Sequence, residues 1–167
     1  MAHVQYDTLL FRHSRAGGNP LKSKVKLDSR FRGNDALGEI FSNKPCPCES
    51  GKPYNSCCEP AHKGTPALTA EALMRSRYTA YVLGLEDYLL KTWAAETRPA
   101  ALNLSDDTQT KWLGLQVKRA ENTTENTAIV EFVARYKIGG KAERLHEISQ
   151  FVRVDGCWYY LAGSYAQ

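Results

Sequence analysis

Four of the five cysteines, Cys46, Cys48, Cys57 and Cys58, fall within thirteen residues in the order C-x-C-x8-C-C. Two close pairs joined by a short loop can deliver four sulfurs to one tetrahedral ion. Pro45 and Pro47 stiffen the first pair, and Ser50-Gly51 followed by Lys52-Pro53 is a turn signal. A unit of this size, residues 44–63, buries too little apolar surface to hold its shape unaided, so it needs a metal or disulfides. Soft thiolates suit zinc or an iron–sulfur cluster, and zinc is the commoner structural choice. Lys44, Lys52 and Lys63 stand where they could offset the negative charge of a four-thiolate site. His62 is an alternative to Cys58 as fourth ligand. Two disulfides or four free thiols are the remaining readings. The start of the chain lacks the marks of a secretory signal, which points to the cytoplasm, where stable disulfides are disfavoured. A closed four-ligand site is structural, because it leaves no open position for chemistry.

The rest of the chain offers fewer reactive groups. Arg77 falls inside an apolar helical stripe, and a buried guanidinium needs a carboxylate. Glu147 shares one strand face with Leu145, Ser149 and Phe151, so an Arg77–Glu147 pair is expected. It reads either as an ion pair joining helix to sheet or as the polar end of a ligand pocket for a carboxylate or an amide. Tyr78 and Trp93, with Tyr81, Trp158 and Tyr160, would wall such a pocket or fill the core. His146 alternates to the strand face opposite Glu147, so the two cannot act as a dyad, and it reads as a surface residue. Cys157, remote from the other four, reads as a small strand residue. There is no Gly-rich phosphate loop, nucleophile motif or HExxH pair, and no catalytic residue is assigned.

These side chains need elements to place them. Thr69 is an N-cap signal, and Ala70, Leu73, Met74, Arg77, Tyr78, Tyr81, Val82 and Leu85 recur at helical spacing. A second helix is expected from Glu86 to Ala95, with Tyr88, Leu89, Thr92 and Trp93 inward. From Trp112 the period changes to two. Leu113, Leu115 and Val117 form one face of a strand, and Ala128, Val130, Phe132, Ala134 and Tyr136 one face of the next. Gly139-Gly140 and Asp155-Gly156 are hairpin turns that deliver a third strand over 143–154 and a fourth over 157–162. Helices first and an antiparallel meander after them mean an α+β fold.

The chain has 167 residues, with 43% hydrophobic and 24% charged, an ordinary globular composition without a stretch long enough to span a membrane. Its formal net charge of +4 is unevenly spread. Residues 1–43 hold seven basic and four acidic residues, residues 44–63 three and two, and residues 64–167 twelve of each. The body therefore carries no excess charge to attract nucleic acid. In the first 43 residues S-R-x-x-G-N occurs twice, at Ser14 and Ser29, amid Gly, Asn and Pro with no sustained period. That stretch resembles translated copies of a short inverted DNA repeat found between bacterial genes. It is read as a disordered or artefactual leader, with a start near Phe41, rather than as a basic arm.

The run CPCESGKPYNSCC resembles the SEC-C zinc motif, usually C-P-C-G-S-G-x5-C-[CH], with Glu49 where the motif has Gly. The resemblance implies that Cys46, Cys48, Cys57 and Cys58 hold zinc and that the knuckle, 44–63, docks on partners, as it does in the SecA translocation ATPase. The segments ALMRSRYTAYVLGLEDYLLKTW, TKWLGLQV and ISQFVRVDGCWYYLAG resemble the YchJ family. That resemblance covers about residues 45–163. It implies that 64–167 form a nuclear-transport-factor-2-like domain, a cone of helices packed on a curved antiparallel sheet. Such cones host enzymes and pure binding domains alike, so the fold does not assign an activity. The leading expectation is a cytoplasmic zinc-binding adaptor. Its knuckle would meet a protein or ribonucleoprotein partner and its cone a small molecule or peptide, or a second copy in a homodimer, with no membrane role. The alternatives are an enzyme of dehydratase, isomerase or hydrolase type in the cone, and RNA or ribosome binding through the knuckle.

Overall fold

The computed structural model describes residues 43–166. The leader expected over 1–43 lies, but for its last residue, outside the described residues. Chain order gives a 3-10 turn at Tyr54–Ser56, then α1 (Glu59–His62), α2 (Ala70–Leu83) and α3 (Glu86–Lys91). A second 3-10 turn at Leu104–Asp106 precedes β1 (Thr110–Asn122), β2 (Thr127–Ile138), β3 (Lys141–Val154) and β4 (Cys157–Tyr165). The four strands form one open antiparallel sheet in the order β1-β2-β3-β4. Among the described residues no helix is long and apolar enough to cross a membrane.

Local chemistry sets the boundaries of α2. Thr69 Oγ1 accepts the Ala72 N–H at 3.1 Å, satisfying one of the helix's unpaired donors. Gly84, at φ 69°, closes the other end in the left-handed region. The second helix stops at Lys91, four residues short of the expected Ala95. The backbone beyond it bonds to β4 instead. Tyr160 N–H donates to Thr92 O at 2.9 Å and Ala94 N–H to Tyr160 O at 2.7 Å. Glu86 holds the following loop by accepting the Leu102 and Leu104 N–H groups, both at 2.9 Å.

The sheet buries the faces that strict alternation marks. Ala128, Val130, Phe132 and Ala134 of β2 are buried, as are Leu145, Glu147, Ser149 and Phe151 of β3. Strand β1 departs from the expected pattern. A bulge between Trp112 and Gly114 pushes Leu113 off the inner face, where it is 39% exposed. Trp112 takes its place and meets Tyr78 edge-on at 5.5 Å and Tyr136 at 5.6 Å between ring centres.

Helix α2 is buried on two sides rather than along one stripe. Met74, Arg77 and Tyr78 line the space over the sheet, while Ser76 and Thr79, polar yet almost wholly buried, turn to other neighbours, Ser76 to the Tyr88 hydroxyl of α3 and Thr79 to the N-terminal knuckle.

Candidate metal centre and adjoining cavity

The knuckle is a short hairpin closed by its prolines. Pro45 and Pro53 form an antiparallel bridge, and Cys46 N–H donates to Lys52 O at 2.8 Å. The 3-10 turn at Tyr54–Ser56 then swings Cys57 and Cys58 back toward the first pair. All four Sγ atoms lie within 4.8 Å of one another, with Cys48–Cys57 at 3.5 Å and Cys57–Cys58 at 3.9 Å. A tetrahedron of thiolates around an ion at about 2.3 Å needs sulfurs about 3.8 Å apart, so the four residues fit such an ion. All are free thiols, and Cys46, Cys48 and Cys58 are buried.

Four thiols this close cannot ionise independently. Cys48 is pulled far below the ordinary thiol range by hydrogen bonds from Cys46 and then Cys58. Its bond with Cys48 pushes Cys46 up to about 11, and bonds with Cys46 and then Cys48 push Cys58 up as well. A bound cation would take the place of those shared protons.

The sulfurs sit on the body of the domain. Thr79 Oγ1, on α2, donates to Cys58 Sγ at 3.4 Å and lies 3.8 Å from Cys46 Sγ. Arg75 Nη1 donates to Cys48 O at 3.0 Å. His62 is not placed as a ligand, because both ring nitrogens are engaged elsewhere. Nε2 donates to Ser76 O at 2.9 Å, and Nδ1 accepts from the Tyr54 hydroxyl at 2.7 Å. Burial holds His62 below its usual value, which suits a neutral ring in this role. Its ring also meets Tyr88 edge-on at 4.6 Å. His62 is therefore a clasp between knuckle, α2 and α3.

Across α2 from the metal centre lies the cavity of the cone. At water radius it leaves about 50 Å³ of free space. Its walls include Met74, Tyr78, Trp112, Phe132 and Leu145, and its polar members are Arg77, Glu147 and Ser149 with the Tyr160 hydroxyl. Arg77 Nη1 donates to Leu89 O at 2.7 Å and to Thr92 Oγ1 at 2.8 Å. The guanidinium carbon lies 5.0 Å from the Trp93 ring centre and 4.6 Å from that of Tyr160. Glu147 accepts from Ser149 Oγ at 2.6 Å and from the Tyr160 hydroxyl at 3.4 Å. Tyr160 links the two residues expected from the sequence to pair, its ring lying over Arg77 and its hydroxyl reaching Glu147. Trp93, expected as a wall, backs the guanidinium instead. Tyr78 lines the cavity with its hydroxyl pushed up to about 12 by burial, so it is no base at neutral pH. His146 lies on the outer face, 2.9 Å from Glu131, and Cys157 opens β4 half-buried.

Gly163 admits the Glu147 carboxylate. A Cβ there would collide with that carboxylate and the Tyr160 hydroxyl. Gly163→Ala should therefore lower stability by about 1–3 kcal/mol in urea denaturation, as overpacking does. An unchanged midpoint would mean that Glu147 is free to move aside.

Residues 69–163 match the family described as YchJ, middle NTF2-like domain. A UPF0225 protein of Chromobacterium violaceum is 57% identical over 123 residues, 71% of this chain and 90% of that protein. The chain belongs to the YchJ family. Two solved structures agree with the assignment. A SEC-C motif containing protein from Rhodopseudomonas palustris is 36% identical with a TM-score of 0.67, covering 73% of this chain and 98% of its own. A SEC-C motif containing protein from Psychrobacter arcticus is 30% identical with a TM-score of 0.66, covering 77% and 86%.

Within this YchJ-family chain, Glu49 explains why the motif it resembles carries Gly at that point. Its backbone sits at φ 54°, in the left-handed region that costs a residue with a Cβ about 1 kcal/mol. The side chain returns part of that through Arg135, 3.4 Å away, but both partners are about half exposed and such pairs contribute little. Glu49→Gly should raise the melting temperature by about 1–3 °C, while Glu49→Ala, which keeps the strain and loses the ion pair, should not. A Glu49→Gly variant less stable than Glu49→Ala would contradict this.

Proposed function

We propose that the chain is a cytoplasmic, zinc-stapled binding protein rather than a catalyst. Zinc fastens the knuckle to the cone, the cone cavity takes a small ligand, and the knuckle's outward edge receives a protein or ribonucleoprotein partner. The observation that carries this reading is the orientation of two of the four thiols, Cys46 and Cys58. Cys46 and Cys58 turn toward Thr79 on α2, while Lys52, Asn55 and Ser56 stay exposed away from the domain. A four-thiolate set favours zinc over harder cations, and free thiols suit a reducing compartment. A closed set of this kind supplies rigidity, not an open coordination site.

The test separates the knuckle's edge from its fold. Lys52→Glu with Asn55→Asp alters exposed groups and leaves every thiol in place. Chemical crosslinking in cells followed by mass spectrometry should lose the partner with this variant but not with a charge change at exposed Glu125. Both purified variants should retain one zinc per chain. An unchanged crosslink profile would remove the knuckle's edge from the account.

A further inference from the structure

Resting on the reading of the cone as a binding cavity, we propose that it recognises a primary carboxamide. Arg77 would hold the carbonyl oxygen and Glu147 the amide N–H. Arg77 is 5% exposed and lines the cavity. Its two hydrogen bonds, to Leu89 O and Thr92 Oγ1, both leave from Nη1. A guanidinium carries five N–H groups in a planar fork, so the Nε and Nη2 edge still has donors to offer. The rings of Trp93 and Tyr160 fix the plane of that fork and leave its edge to be met in the plane.

Glu147, 4% exposed, lines the same cavity and is linked to Arg77 through Tyr160. Opposite charges at one polar end select against both kinds of ion. A carboxylate ligand would meet Glu147, and an ammonium would meet Arg77. A neutral planar group that accepts on one side and donates on the other suits both, and a carboxamide is the smallest such group. Size agrees. The free space of about 50 Å³ corresponds to roughly three to five waters, enough for the amide and one or two carbons. Met74, Phe132 and Leu145 give that stem apolar walls. Tyr81 and Trp112 also border an outer groove of about 520 Å³ with Leu102 and Lys111, so the stem of a longer ligand could continue there.

The probes are acetamide, acetate, methylammonium and a capped glutamine, titrated to about 0.1 M into zinc-loaded, isotope-labelled full chain and followed by nuclear magnetic resonance. Acetamide should shift the Trp112 indole and the backbone of residues 147–151 saturably, with a Kd of about 1–10 mM. Acetate and methylammonium should bind at least about tenfold more weakly. Tighter binding of the capped glutamine would identify a chain-borne amide, and equal or weaker binding a free small molecule. Glu147→Gln and Arg77→Lys, which keep size and, for the latter, charge, should each weaken acetamide at least about fivefold. Preference for either ion, no saturable shift, or wild-type affinity in both variants would overturn the proposal. Metal content measured on the same samples keeps this outcome distinct from failure of the zinc reading.

Discussion

Replacing Cys58 by Ser should unfold more than the knuckle. Cys58 is 2% exposed and receives a hydrogen bond from Thr79 in the middle of α2. Structural zinc supplies about 10–16 kcal/mol of apparent binding energy in small modules, whereas a whole domain is stable by only about 5–15 kcal/mol. With zinc as the ion proposed for the four thiols, losing one of four ligands would forfeit a large part of that and leave a hydroxyl where a thiolate would be. The expected cost is at least about 3 kcal/mol, read as a fall in melting temperature of about 10 °C or more. Because Arg75, Ser76 and Thr79 all bond to knuckle atoms or to His62, the loss should reach α2. Calorimetry of the variant should give one weakened transition. A normal cone transition with only the knuckle lost would mean that the two parts fold independently.

Arg77→Met should be nearly as damaging, for a different reason. Methionine fills much of the volume between Trp93 and Tyr160 but donates nothing. Leu89 O loses a charged donor in a buried setting, and the positive charge that lines the same cavity as Glu147 disappears. Deleting one member of a buried polar set costs about 3 kcal/mol or more. The companion variant Glu147→Gln removes the opposite charge. In the double variant the two costs should add to less than their sum, by about 1 kcal/mol or more, as coupled neighbours do. Urea denaturation of the four proteins measures that difference. Strict additivity would show that the link through Tyr160 carries no energy.

The parts of the fold that alternation controls were legible in the sequence. Leu145, Glu147, Ser149 and Phe151 do share the inner face of β3, and both glycine-containing turns sit where φ is positive. The four cysteines were legible because their spacing admits few other uses. What spacing could not convey was the contact between parts distant in sequence. Ser76 and Thr79 look like a solvent-facing side of α2, yet both are buried, Ser76 with its hydroxyl bonded to Leu73 O and the Tyr88 hydroxyl and Thr79 with its hydroxyl against the knuckle's sulfurs, bonds that make the burial tolerable. His62 has the position of a ligand but is claimed by Tyr54 and Ser76. The early end of α3 depends on backbone bonds to Tyr160, nearly seventy residues on. Leu113 is displaced by a bulge whose one sequence signal is the adjacent Gly114. A Cβ at Gly114 would collide with Glu49 and Arg135.

The claim beneath all of this is that one ion, held by Cys46, Cys48, Cys57 and Cys58, staples the knuckle to helix α2. Amide hydrogen exchange across α2, followed while a chelator is titrated against protein of known metal content, tests it directly. The account predicts one zinc per chain and a loss of protection at residues 75–80 in step with its removal. A chain without stoichiometric metal, or an α2 whose protection is indifferent to the chelator, would contradict it.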